Sequence, residues 1–463
     1  MRNDGLAKYC GFFLISFIVL IFFNCDFKRE DFEYPDNYDS YKTLFDKENL
    51  HHFEIVISQN EWDGLIEDMI KQKEMVGDFK MRTGNYRKAD LIYNGPLGEN
   101  LLIRDIGFRT RGNTTRTIPQ DLYGDFHRAH FKIKFDETFD LDDSSDEYEV
   151  RSNRKFCTLK ALNLKWNWNV DNSQIRELYS LDLMARGGIN CAKTGSATLT
   201  IIIGNITKYF GVYTIIEPID KTFVSKLYEN DNGDLYECNS ATLGVNSWAD
   251  NIGVSKWEEN YFPGYDKKTN KNENHEKLIS FVEKINSLND NDFENYLDDN
   301  FDVDNFIKYM AMNILIGNDD DYMLGSNNYY LYFPSKSDNK IQFIPHDFDK
   351  GLGRQSDLSF LIDTLNITNI PDRNILSSKI LKTEKYRNLY YEYVRSFVDD
   401  ENELFFNSDF RNRFDKLFYL YSDFLDNDMN EGEIMNSDEI LRYMQNRITN
   451  VTDQLYRILR LEY

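Results

Sequence analysis

An α+β fold, β-rich in its first half and helical in its second, follows from three features of this 463-residue chain. From about residue 90 to 240, apolar residues alternate in short runs, the period-two signature of strands. From 241 to 463 they recur every three or four residues, as in helices that bury one face. Inside the helical half, between Asn318 and Gly353, a short aromatic hairpin (NNYYLYF returning through KIQFIP) is flanked by two acidic clusters, NDDDY and HDFD.

Taken in order, Arg2 and Lys8 precede GFFLISFIVLIFF, an apolar run too short for a comfortable membrane span and suited to the h-region of an export signal. Residues 1–25 therefore read as a signal peptide. Cys25, directly after the run, resembles a lipoprotein lipidation site. The expected location is the cell surface or membrane, as an anchored lipoprotein, or otherwise the secreted fraction, with membrane contact only through that signal or anchor. Residues 26–48 are polar and lack periodicity, as a tether would.

The fold is expected to start near His52, within a β-rich N-lobe spanning 49–240. FEIVIS alternates as a strand, and SQNEWDGLIEDMIKQ follows as a helix, with Ser58 as N-cap and Glu61 completing a capping box. Five further strands are LIRDIGFRTRG, HFKIKFD, FCTLKALNLKWN, ATLTIII and YFGVYTIIE, predicted to form a five-strand sheet with one helix, SQIRELYSLDLMARGG, after the third strand. The C-lobe, 241–463, holds the helices VDNFIKYMAMNILIG, NLYYEYVRSFV, FRNRFDKLFYLYSDFL and the terminal SDEILRYMQNRITNVTDQLYRILRLEY, interrupted by the hairpin.

With 78 acidic against 54 basic side chains the formal charge is −24. Such a chain repels a phosphate backbone, which excludes nucleic acid as a partner. An acidic enzyme that binds a nucleotide must gather its cations locally and recruit a divalent metal. Cys157, Cys191 and Cys238 lack the close spacing of zinc or redox motifs and read as small buried hydrophobes. A monomer is expected.

The two acidic clusters point to phosphoryl transfer, which needs positioning, charge neutralisation and a carboxylate to orient the nucleophile. An Asp followed by Asn, a hairpin, and a further Asp after the returning strand is the layout by which kinases set a catalytic carboxylate beside magnesium ligands. The expected fold is thus an atypical protein-kinase-like two-lobed fold. Asp320 is the candidate base or substrate-orienting residue, and Asn327 or Asn328 a candidate amide ligand. Strand alternation would put Asp347 and Asp349 on one side, where both could meet one Mg²⁺ or Mn²⁺. Gly112 in RTRGNTTR suggests a phosphate-facing turn with Arg111 or Arg116. Lys132, Lys134, Lys160 and Lys165 are four candidates for the α- and β-phosphates of ATP, with Glu177 as the partner of whichever serves. Glu217 would border an adenine pocket together with Pro218 and Ile219.

The elements FRTRGNTTR, HFKIKF, LNLKWN…SQIRELYSLDLMAR, YFGVYTIIEPIDKTFVSKLYENDNGDLYE and NDDDY…NNYYLYF…IPHDFDKGLG together resemble the spore coat protein H (CotH) family of atypical secreted kinases. The resemblance implies ATP with Mg²⁺ or Mn²⁺ and phosphorylation of Ser or Thr on exported or surface proteins. It matches Asp320 to the family's catalytic-loop aspartate and Asp347 to its metal-binding aspartate, with His346 standing where the family has Trp. Two other readings use the same residues: a surface-anchored adhesin or coat component that keeps the fold with little or no catalysis, and a metal-dependent hydrolase.

Overall fold

The computed structural model describes residues 38–77, 81, 83–112, 115–167, 171–229, 231–245, 251–353, 374–399, 404–425 and 435–461. The expected signal peptide, Cys25 and most of the tether lie outside them. The first described element is a helix, α1 (Tyr38–Leu44), in what the sequence suggested was tether. Tyr41 and Leu44 of this helix and Phe45 just after it are all buried, so the fold begins before His52.

Strand β1 (Leu50–Ile57) and helix α2 (Gln59–Val76) come next. Ser58 caps α2, its hydroxyl accepting from the Glu61 amide at 3.2 Å. The Glu61 carboxylate is instead the acceptor of the Lys88 amide, so only half of the capping box forms. Strands β2 (Arg87–Asn94), β3 (Asn100–Arg111) and β4 (His130–Lys134), helix α3 (Asp146–Ser152), strand β5 (Ala161–Trp166), helix α4 (Arg176–Arg186), and strands β6 (Thr194–Ile203) and β7 (Ile206–Ile216) complete the first half.

These strands form a closed seven-stranded barrel in the order β1-β2-β3-β4-β5-β7-β6, in place of the expected five-strand sheet. Closure comes from β1, which runs parallel to β6 and pairs Leu50 with Ser196 through Ile57 with Ile203. A closed barrel leaves no unpaired edge. Its interior takes alternate residues, including Phe53, Ile55, Phe108, Phe131, Ile133 and Leu164, all at 0–1% exposure.

His51 shares this inward face. It is fully buried, with Nδ1 2.9 Å from the Tyr93 hydroxyl and Nε2 without a hydrogen-bond partner. Burial pushes its imidazole down to about 4. The folded value lies below the unfolded one, so this group's contribution to stability is present above about pH 6.5 and is lost as pH falls through 4. Stability should therefore drop between pH 6.5 and 4, by up to about 3 kcal/mol from this residue. His51→Phe should flatten that part of a denaturant-midpoint-versus-pH curve, and an unchanged curve would count against the assignment.

The second half starts with α5 (Lys221–Leu227), strands β8 (Asp234–Cys238), β9 (Ile252–Gly253) and β10 (Tyr265–Lys267), and helices α6 (Glu276–Ser287), α7 (Asp290–Asn300), α8 (Val303–Ile316) and α9 (Tyr322–Gly325). The hairpin β11 (Tyr329–Phe333) and β12 (Gln342–Pro345) precedes helices α10 (Ile375–Lys382), α11 (Glu384–Phe397), α12 (Asn407–Leu425) and α13 (Asp438–Leu461). The hairpin belongs to a five-stranded sheet ordered β12-β11-β8-β10-β9. β8, which the sequence placed with the first half, hydrogen-bonds to β11. Residues on one face of this sheet, such as Tyr329, Leu331, Tyr236 and Phe343, enter a continuous core with α4, α8 and the terminal helices. Cys157, Cys191 and Cys238 are buried thiols, and among the described residues no helix is long and apolar enough to cross a membrane.

Candidate active site

The site lies where the outer face of the barrel meets the face of the second sheet that carries Tyr330 and Glu237. Strand pairing fixes the barrel side: Arg109 opposes Lys132, Lys132 opposes Asn163, and Lys165 opposes Thr214. Directly paired residues point the same way, so Arg109, Arg111, Lys132, Asn163 and Lys165 share the face opposite the buried Phe131 and Leu164 and form a roof. On the second sheet, Ile344 opposes Tyr330, Tyr330 opposes Glu237, and Glu237 opposes Asp266. That row is the floor. The two sides close at the back through Ile216, Ile219 and Phe223, packed on Ile344 and Tyr332.

Lys165 is the centre of the arrangement. Its ammonium lies 2.6 Å from the Glu177 carboxylate and 3.2 Å from that of Asp349, and it donates to Asp347. Glu177 is on the first turn of α4, a helix held in place by Arg176, which is 1% exposed and donates to the carbonyls of Gly351 and Leu352 at 2.8 and 2.6 Å. The loop after β12 and the helix carrying Glu177 are thereby tied together. Burial opposes charge on Lys165, but Asp347, Asp349 and Glu177 together raise its basicity. Burial pushes the Glu177 carboxyl up to about 7, Lys165 pulling it back and the two aspartates adding to the rise. Asp347 moves the opposite way: burial is outweighed by Lys165 and Arg111, and its carboxyl is held well below the ordinary range.

Asp347 and Asp349 do converge, though not through strand alternation. β12 ends at Pro345, and Asp347 adopts φ of 63°, a left-handed conformation that costs a non-glycine residue about 1 kcal/mol or more. The turn it makes brings both carboxylates to one ammonium. Asn318, buried beside it, donates to the Asp347 carbonyl at 3.3 Å, and its own amide oxygen has no hydrogen-bond partner.

The three aspartates of NDDDY have different surroundings. Helix α8 ends at Gly317, whose φ of 69° suits glycine and where a Cβ would stand 2.1 Å from the Tyr443 hydroxyl. Asp321 is 2% exposed and caps α9, accepting from the Leu324 amide, the Tyr309 hydroxyl at 2.6 Å and Asn313. Asp320 is more open. It pairs with Lys350 at 2.8 Å and accepts from Asn327 at 2.9 Å. Asn328 donates to the Asp320 carbonyl at 2.7 Å, and its own carbonyl accepts from the His346 amide at 3.2 Å, which sets it beside the residue preceding Asp347.

The remaining candidates separate clearly. Lys134 is on Glu137 and Asp136, and Lys160 on Asp136, so neither joins Lys165. Arg116 folds back on the Gly112 carbonyl at 2.7 Å. Arg111 faces the cleft, where its charge acts on Asp347, His346 and Tyr330. The Glu217 carboxylate looks away from the cleft toward α1 and α5, accepting from the Tyr41 hydroxyl at 2.9 Å, from Lys226 and from the Lys193 amide. Arg176, Asn318 and Lys350 were not singled out from the sequence, although all three lie in or next to the motifs that carry the resemblance.

A family model described as CotH kinase protein matches residues 108–455. Inner spore coat protein H of Bacillus subtilis (strain 168) is 25% identical over 221 residues, 48% of this chain, and the match spans 57% of that relative's length. Among solved structures, the Helicobacter pylori proinflammatory kinase CtkA aligns with 64% of this chain and 91% of its own at 11% identity, with a TM-score of 0.28. The family match opens inside β3 and runs into α13, so it takes in Lys165, Glu177, Asp320 and Asp347, and the chain belongs to the CotH kinase family.

Proposed function

We propose that this chain is an ATP-dependent kinase that phosphorylates Ser or Thr on exported or surface proteins. The observation that carries the reading is a single buried ammonium, Lys165, held between a helix carboxylate, Glu177, and Asp347 after the hairpin, the pairing that kinase chemistry requires for phosphate positioning. In this reading the barrel is an N-lobe, the second sheet and helices are a C-lobe, and the connection runs from Ile216 to Asp220. A nucleotide base would sit against the apolar back of the cleft and the Tyr330 ring, with its phosphates under Lys165 and Arg111.

The donor set suits a hard divalent cation. Asp347 and Asp349 offer carboxylate oxygens, and the amides of Asn328 and Asn318 offer neutral ones. Among the described residues no group of three or more His, Cys, Asp or Glu forms a cage, so Mg²⁺ or Mn²⁺ would share these carboxylates with phosphate oxygens, as magnesium sites commonly do. When bound, the ion neutralises charge on the transferring phosphoryl group. Lys165 would hold the α- and β-phosphates, and Asp320 would orient the acceptor hydroxyl and take its proton at the oxygen now paired with Lys350. A coat-associated or extracellular location is proposed on the strength of the spore coat relative.

The side chains of Arg111 and Lys132 make no hydrogen bond or ion pair among the described residues, in a chain with a large excess of acid. Their charges should serve the phosphates. Arg111→Ala with Lys132→Ala should weaken ATP at least about tenfold, since charge-assisted bonds are worth about 1.5–3 kcal/mol, and leave adenosine unaffected. Calorimetry with ATP and Mg²⁺ would test both the site and this assignment. ATP bound no tighter than adenosine by the unaltered protein would contradict the kinase reading.

A further inference from the structure

Roof and floor meet at one end through Lys165, and at the outer edge of the cleft they meet again through a hairpin that none of the motifs above includes. Lys256 and Tyr261 exchange backbone hydrogen bonds of 2.9 and 3.0 Å, and the Trp257 ring packs edge-on against Phe262 at 5.1 Å. The stem is fixed to the floor. The Ser255 amide donates to Asp266 at 2.8 Å and its hydroxyl donates to the second carboxylate oxygen, and Asp266 stands in the same row as Glu237 and Tyr330.

The other end of the hairpin is fixed to the roof. Trp257 lies on Gly84, where a Cβ would stand 2.7 Å from the indole Cγ, closer than real Cβ contacts come, so the indole fits only because residue 84 has no side chain. The same indole is 5.4 Å from the Arg109 guanidinium, which also stacks on Tyr86 at 4.9 Å. Arg109 is anchored in turn by donating to the Thr83 carbonyl at 2.9 Å. A chain of contacts therefore runs from floor to roof through Asp266, Ser255, Trp257 and Arg109.

We infer that the 255–262 hairpin is a clamp across the open edge of the cleft, and that Trp257 is a positioning residue fixing the distance between roof and floor. The inference rests on the cleft's being the nucleotide site. A ligand lying between Tyr330 and the roof is enclosed at the inner end by the Lys165 contacts and at the outer end by the indole, so release requires the clamp to part. Closing elements of this kind control ligand release more than chemistry.

The test is the dissociation rate of a fluorescent ATP analogue with Mg²⁺ from the full-length protein. Trp257→Ala should speed release about tenfold and raise KM for ATP in step, with kcat changed less than about threefold. Trp257→Phe should recover most of the slow release, because it keeps a ring over Arg109. Gly84→Ala should reproduce the fast release without altering the tryptophan, by pushing the indole off the roof. Release at the unaltered rate from Trp257→Ala or Gly84→Ala would overturn the clamp while leaving the nucleotide site standing. Failure of the unaltered protein to bind the analogue would overturn both.

Discussion

Asp347→Ala should abolish metal-dependent ATP binding while leaving the protein folded. Truncating one member of a hydrogen-bonded charge constellation around a buried ammonium costs about 2–5 kcal/mol of binding, or roughly 30-fold to several thousandfold in affinity. Folding should survive because Lys165 keeps two carboxylate partners, Glu177 at 2.6 Å and Asp349 at 3.2 Å. The loss also removes one of the negative charges that disfavour ionised Glu177 and leaves the left-handed backbone strain at residue 347 in place, since alanine tolerates φ of 63° no better. Calorimetry and a thermal melt on one sample distinguish the outcomes: binding lost with a melting temperature near the unaltered value supports the assignment, and joint loss of both contradicts it.

Asp320→Ala should do the reverse. Asp320 does not touch Lys165; its partners are Lys350 and Asn327. ATP affinity should change by less than about threefold, whereas transfer should fall by about 10²–10⁴-fold, the range for removing a positioned general base. The neighbouring Asp321→Ala is the contrasting control. It would leave the Tyr309 hydroxyl, the Leu324 amide and Asn313 buried without their acceptor, so it should cost several kcal/mol of stability. If Asp320→Ala behaved like Asp321→Ala, the division of roles within NDDDY would be wrong.

Much of this site was legible in the sequence because its geometry is local. The helix ending at Gly317, the two acidic clusters and the hairpin between them are set by period, capping and turn chemistry within about 35 residues. The choice among Lys132, Lys134, Lys160 and Lys165 was not legible. Lys132, Lys134 and Lys165 all point from the outer face of adjacent strands, and only the docking of α4 by the buried Arg176 decides which meets Glu177. Barrel closure was hidden for a related reason: alternation marks a strand but not its partner, and β1 finds β6 across more than a hundred residues. β2 was not singled out from the sequence although Ala89, Leu91 and Tyr93 alternate inward. The orientation of Glu217 was not legible either, since α1 supplies the Tyr41 hydroxyl that turns that carboxylate away from the cleft.

The account stands most directly on whether the cleft transfers phosphate. Labelled γ-phosphate from ATP, with Mn²⁺ or Mg²⁺, should be incorporated into the protein itself or into a generic Ser/Thr acceptor, and incorporation should vanish in Lys165→Met and Asp347→Ala. No incorporation by the unaltered protein, together with no thermal shift by ATP and metal, would contradict the kinase account and favour a surface or coat protein that keeps the fold without the reaction.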